Sequence, residues 1–123
     1  MDTMPKRILV VDDSEAIRDI IKLTLQFKGY EVTDANDGRE AYDILSHSSY
    51  DLVITDLEMP RMSGYELIDR IRNDLRDAKL PIIVCSAELN VGKKQLLDKG
   101  ANAFLRKPIS PFELLDIVAL LLK

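Results

Sequence analysis

Five side chains able to do chemistry stand at the ends of four short apolar runs. Asp12 and Asp13 follow Ile8-Leu9-Val10-Val11, and Asp56 follows Leu52-Val53-Ile54 after a single Thr55. Ser86 follows Ile82-Ile83-Val84-Cys85, and Lys107 follows Ala103-Phe104-Leu105 after Arg106. If the runs are parallel strands, their ends share one edge of a sheet and these groups meet on one rim. Three carboxylates held together repel, and each pKa rises unless a cation neutralises them. The donors are all oxygen, with no His or Cys among them, which favours Mg²⁺ or Mn²⁺. Mg²⁺ usually takes one or two protein carboxylates and completes its shell with water and phosphate oxygens. One carboxylate is then free to act as a nucleophile, as in aspartyl-phosphate formation. Lys107, Ser86 and the cation could each stabilise one oxygen of a transferring phosphoryl group.

The elements that must position these groups are legible as alternation. The runs at 8–11, 52–54 and 82–85 are apolar throughout and rich in β-branched residues, as in strands covered on both faces. Weaker runs lie at Glu31–Ala35 and Ala103–Leu105. Helical periodicity fills the gaps. Ile17, Ile20, Ile21, Thr24 and Leu25 recur at spacings of three and four before a stop at Gly29. Ala41, Ile44 and Leu45 form a second face, and Leu67, Ile68 and Ile71 a third. Ser63 to Glu66 and Ser110 to Glu113 read as capping boxes, the latter with Pro111 at the first helical position. Asn90 to Lys99 is the poorest helical stretch, polar in the main and with Gly92 inside it. Five βα units imply an α/β fold: a flavodoxin-like, doubly wound, five-stranded parallel sheet of order 2-1-3-4-5 with five helices. In that order strands one and three flank the switch point, where ligands bind.

Composition excludes several classes. The 123 residues suit one domain, 1–123, and 46% apolar with 31% charged residues is ordinary for a globular chain. A net charge of −4 argues against a nucleic-acid surface. No apolar run approaches the ~20 residues of a membrane helix. The single cysteine forms no internal disulfide, and the start carries no signal-peptide pattern; a cytoplasmic location is expected.

Taken together, Val10-Val11-Asp12-Asp13, Asp56 through Gly64 (DLEMPRMSG), Ser86-Ala87 and Lys107-Pro108 resemble a response-regulator receiver domain of two-component signalling, chemotaxis-regulator-like, from Arg7 to Leu122. The resemblance implies that Asp56 is the phosphoacceptor and that Lys107 and Ser86 assist catalysis by pairing with the phosphoryl group. It implies a Mg²⁺ site at Asp13, Asp12 (mostly through water), Asp56 and the backbone carbonyl of Glu58. It implies a switch through Ser86 and Phe104, and a cis Lys107-Pro108 bond. The donor would be a sensor histidine kinase or a histidine phosphotransfer protein. The output face would be helix four, strand five and helix five. Two positions depart from the common pattern: Ser63 stands where Asp is frequent and Ser86 where Thr is frequent. On this reading the protein catalyses only its own phosphorylation and dephosphorylation. The alternative is a Mg²⁺-dependent phosphohydrolase with an Asp nucleophile. Such enzymes usually carry a second Asp two residues on, where this chain has Glu58.

Each residue also has a plainer reading. Asp12 suits an N-cap, as does Ser14. Phe104 and Cys85 suit a core, and no His accompanies Cys85 as a catalytic thiol would require. His47 falls outside the apolar face of its helix. Arg70, Arg72 and Arg76 read as a solvated helix face.

Overall fold

The computed structural model describes residues 4–88 and 92–123. Strands β1 (Arg7–Val11), β2 (Glu31–Ala35), β3 (Leu52–Thr55), β4 (Ile82–Ser86) and β5 (Ala103–Arg106) alternate with helices α1 (Glu15–Phe27), α2 (Gly38–His47), α3 (Gly64–Asp69), α4 (Lys93–Lys99) and α5 (Pro111–Leu121). All strand pairs are parallel, in the order β2-β1-β3-β4-β5. The expected α/β architecture and strand order are therefore present.

The continuous apolar runs are explained by two core layers. Leu9, Val11, Val53, Ile82 and Val84 face Ala41 of α2, Leu67 and Ile68 of α3 and Leu96 of α4. Ile8, Val10, Leu52, Ile54, Ile83 and Cys85 face Ile21 and Leu25 of α1 and Leu114 and Val118 of α5. Alternate residues of each strand thus meet different helices, so neither face can be polar. Full burial of each such side chain contributes roughly 1.5–3 kcal/mol.

Register carries the chemistry to one rim. Val11 lies opposite Ala35 on one side and Thr55 on the other, so Asp12 and Asp56 leave adjacent strands at the same height. Asp56 N–H closes the step by donating to Val11 O at 3.0 Å. Strand β2, at the edge, ends in Ala35 and brings no acid to this rim.

Local signals fare unevenly. Ser14, Ser63 and Ser110 cap α1, α3 and α5 by accepting from Ile17, Glu66 and Glu113 N–H. The expected reciprocal contact of Glu66 is replaced by an ion pair to Arg70 at 3.2 Å. A fuller box occurs where none was expected: Asp37 accepts from Glu40 N–H, while Glu40 accepts from Asn36 N–H. A π-helical turn, Arg70–Asp74, extends α3.

Two expectations are corrected. Gly92 is the N-cap of α4, not an interior residue, so it does not weaken the helix body. Asn90, the expected start, lies outside the described residues. Arg72 is no solvated cation. Its guanidinium donates to Gly100 O, Asp77 O and the Asn102 side chain, tying the end of α3 to the α4–β5 turn. Gly100 there has φ +116°, and a Cβ would crowd the Arg72 stem.

Candidate functional site

Helix starts and strand ends build the site from below. Asp12 is 2% exposed at the end of β1. Its Oδ1 accepts from Ser14 N–H at 2.9 Å while Ser14 caps α1, so Asp12 braces the cap and does not replace it. Arg18, one turn into α1, donates to Asp12 O at 2.6 Å and to Asp34 at 3.0 Å. Asp13 is exposed, at the solvent side of the acidic set. Asp56 Oδ1 accepts from Leu57 N–H at 2.7 Å.

The loop after Asp56 is folded tightly against α3. Gly64 N–H donates to Leu57 O at 2.8 Å, and a Cβ at Gly64 would overlap the Asp56 carbonyl oxygen. Only glycine permits that approach. Asp37, 3% exposed, holds the same loop through Arg61 Nε at 2.6 Å. Arg61 itself has φ +66°, a conformation few non-glycine residues adopt.

Lys107 crosses to the acids from β5. A cis Lys107-Pro108 bond is present, as the sequence led us to expect. The ammonium donates to Asp12 Oδ2 at 2.8 Å and lies 3.2 Å from Asp56 Oδ2. Ligand atoms of Asp12, Asp13 and Asp56 all fall within 4.8 Å of one another. Burial pushes the Asp56 carboxyl above its ordinary pKa; the Lys107 charge opposes this and the Asp12 charge adds to it. Burial acts to lower the Lys107 pKa, but hydrogen bonding and charge attraction from Asp12, joined by Asp56, hold it above the ordinary value. One ammonium thus serves a pocket with more negative charge than it can neutralise. An all-oxygen acidic set of this kind could hold a hard divalent cation.

Ser86 is 1% exposed at the end of β4, and its Oγ accepts from Glu88 N–H at 3.1 Å. Glu88 O accepts in turn from Arg106 at 3.2 Å. Glu58 and Glu88 approach from the two loops beside Asp56. Burial, then the Glu58 charge, pushes the Glu88 carboxyl up, and the Tyr65 hydroxyl is raised by burial and by both acids. Phe104 is half-buried against the layer that holds Leu96, with the Arg106 guanidinium 5.8 Å from its ring centre.

Sequence reasoning named the acids, Ser86 and Lys107, and the fold brings them together. It missed Arg18, Arg61 and Tyr65. Nothing in their local pattern sets them apart, and only the fold shows that they reach the site. Cys85 is core: burial pushes its thiol to about 12, too high for a nucleophile at neutral pH. His47 is exposed at the end of α2, away from this rim.

Comparison with known proteins agrees with this geometry. A family model described as the response regulator receiver domain matches residues 8–119. Response regulator MprA of Mycolicibacterium vanbaalenii is 42% identical over 121 residues, which cover 98% of this chain and 52% of that protein. MprA of Mycobacterium tuberculosis is 40% identical with the same coverage. The chain spans about half the length of these curated relatives. Among solved structures, the chemotaxis protein CheY4 of Vibrio cholerae superposes with a TM-score of 0.88 at 36% identity, covering 96% of this chain and 99% of that one. The receiver domain of Francisella response regulator 1452 gives 0.88 at 32% identity, covering 95% and 96%. With the family model running from β1 into α5 and identity of this order over nearly the whole chain, the protein belongs to the response-regulator receiver domains of two-component signalling.

Proposed function

We propose that residues 1–123 act as one phosphorylation-dependent receiver domain in which Asp56 accepts a phosphoryl group from a histidine kinase or a histidine phosphotransfer protein. The observation that carries this reading is the Lys107 ammonium held between Asp12 and Asp56, beside the exposed Asp13.

Asp56 carboxylate oxygen attacks the phosphorus as the phosphorus–nitrogen bond of phosphohistidine breaks. The electron pair leaves with the imidazole nitrogen, which is later protonated. Leu57 N–H holds Asp56 Oδ1, so the carboxylate is oriented before the donor arrives. Lys107 is placed to pair with a phosphoryl oxygen, and the Ser86 hydroxyl can pair with another by giving up its contact to Glu88 N–H. Mg²⁺ would be held by Asp12, Asp13, Asp56 and the Glu58 carbonyl, and would neutralise charge on the acids and the phosphoryl oxygens. The domain catalyses its own phosphorylation and dephosphorylation, and its output is a changed partner-binding face. This reading calls for a cytoplasmic setting. No helix of the described residues is long and apolar enough to cross a membrane.

The test is incubation with acetyl phosphate or a phosphorylated kinase in the presence of Mg²⁺. One base-labile phosphoryl group should be added and located to Asp56, and Asp56→Asn should abolish it. Labelling of Asp56→Asn at the normal rate would reject the assignment. Sustained phosphate release from small phosphoesters would favour the phosphohydrolase alternative.

A further inference from the structure

Arg61 holds a backbone shape that its residue type resists. Met62 N–H donates to Pro60 O at 2.7 Å and closes a three-residue turn centred on Arg61. With φ +66° at the centre, this is the rare and strained form of that turn. Strain of this kind persists only where the surroundings over-determine it, and such places cluster at functional sites.

The surroundings that hold Arg61 are at the start of α2. Asp37 divides its carboxylate between two tasks. Oδ1 accepts from Glu40 N–H at 2.8 Å and caps the helix. Oδ2 accepts from Arg61 Nε at 2.6 Å and lies 2.5 Å from a second guanidinium nitrogen. The Asp37 side chain is 4% exposed and that of Arg61 63%. Two exposed partners would contribute little, but here the acid is buried and Arg61 supplies its cation. Gly38 adds a second tie. Its N–H donates to Met62 O at 3.2 Å, and a Cβ there would overlap that oxygen. The far end of the same loop is closed by Gly64 N–H on Leu57 O. The loop held between these ties carries Glu58.

We propose that Asp37 and Arg61 are positioning residues that lock the loop after the phosphoacceptor, so that the Glu58 carbonyl is set for Mg²⁺. The inference rests on the assignment of that carbonyl to the metal under Proposed function. The sign of the effect separates a lock from simple electrostatics. If the pair acted through charge alone, loss of the Arg61 cation would tighten Mg²⁺ binding and loss of the Asp37 anion would weaken it. A lock requires both losses to weaken it.

The test is Mg²⁺ titration of the metal-free chain by NMR, at a temperature where every variant is folded. Arg61→Ala and Asp37→Asn, the latter keeping an acceptor for the α2 cap, should each weaken Mg²⁺ binding about tenfold. The double variant should lose little more than either, since the two residues act as a unit. Arg61→Gly should recover part of the loss of Arg61→Ala, because glycine takes a positive φ without a clasp. Amide exchange of the metal-free chain gives a readout without the ion. The Gly38 and Gly64 amides should exchange faster in Arg61→Ala, while those of Val10 and Ile83 in the sheet keep their rates. Tighter or unchanged Mg²⁺ binding in Arg61→Ala, additive losses in the double variant, no recovery in Arg61→Gly, or faster exchange throughout the sheet would each overturn the proposal. A wild-type chain that binds no Mg²⁺ would overturn the metal assignment and this inference with it, whereas wild-type binding with unchanged variants overturns the inference alone.

Discussion

Lys107 Nζ and Asp12 Oδ2 stand 2.8 Å apart across 95 residues of sequence. That contact joins the end of β5 to the end of β1 on the far side of β3 and β4. Asp56, between them, shares the same ammonium at 3.2 Å. Both side chains of the Lys107–Asp12 pair are largely buried, at 13% and 3% exposure, so the pair is poorly screened by solvent.

Lys107→Ala should therefore destabilise the metal-free protein at pH 7 by about 3 kcal/mol, because two buried acids lose their cation. The sign with pH follows from Asp56. Burial already raises its folded pKa, with the Asp12 charge adding to it, and removing Lys107 takes away the opposing attraction. A carboxyl with a raised folded pKa opposes folding above that pKa, and the penalty disappears as pH falls through it. Thermal melts should show a smaller deficit at pH 4 than at pH 7, and added Mg²⁺ should narrow it at pH 7. An equal deficit at both pH values would mean that Lys107 acts through packing alone.

Asp13→Asn should leave the metal-free melting temperature unchanged or raise it. Asp13 is exposed and belongs to the acidic set, so its removal relieves repulsion and breaks little. Mg²⁺ affinity measured by calorimetry should fall. A variant that melts early and still binds Mg²⁺ normally would make Asp13 a structural residue.

Gly64→Ala tests how closely α3 must approach the phosphoacceptor. The added methyl overlaps the Asp56 carbonyl oxygen and comes to 2.9 Å from Leu57 Cα, and both are backbone atoms. The loop must shift, and Asp56 must shift with it. A stability loss of about 1–3 kcal/mol is expected. Labelling by acetyl phosphate should slow by more than in Gly29→Ala, where the strain lies far from the rim. Equal labelling rates in the two variants would show that Asp56 tolerates the displacement.

These residues also show what was legible beforehand. Apolar runs revealed β1, β3 and β4 because those strands are covered on both faces, and alternation with helices then dictated a parallel sheet. The acids, Ser86 and Lys107 were legible because each stands at the end of a strand or within two residues of it. The Arg72 clamp was not, since it depends on where the end of α3 meets the α4–β5 turn in space, and the Gly92 cap was not, since no side-chain cap marks the start of α4. The π-helical turn after Asp69 was invisible for a similar reason. Arg70–Asp74 keeps one buried residue, Ile71, and no periodicity distinguishes it from α-helix.

Glu58 and Glu88 should set the lifetime of the phosphorylated state. They flank Asp56 from two loops, and the Glu88 carboxyl is raised by burial and then by the Glu58 and Asp56 charges. An acid there can repel the phosphoryl group or orient an attacking water. Glu58→Gln and Glu88→Gln should each change the decay rate of the purified phosphoprotein several-fold. Identical decay in both variants would remove the claim.

The final prediction places the output face on α4, β5 and α5. Helix α4 spans Lys93–Lys99 and has one buried side chain, Leu96, with Leu97 next to it 41% exposed. A helix anchored by one leucine shifts at low cost. Ser86 Oγ accepts from Glu88 N–H, so a phosphoryl group that draws Ser86 away releases the start of the β4–α4 loop. Arg106 on β5 donates to Glu88 O and stacks near Phe104, which carries the same change to the neighbouring strand. Phe104 is already half-buried, and its ring has no hydroxyl whose burial would cost a hydrogen bond to water. The movement then falls mainly to Ser86, Glu88 and α4, with the ring following. Beryllofluoride with Mg²⁺ should shift amide NMR resonances from Ser86 through Phe104 and into α5. Resonances of α2, and of α1 beyond the metal-site end, should move little. A response confined to Asp12, Asp13 and the Asp56 loop would exclude this output face while leaving the phosphoacceptor assignment intact.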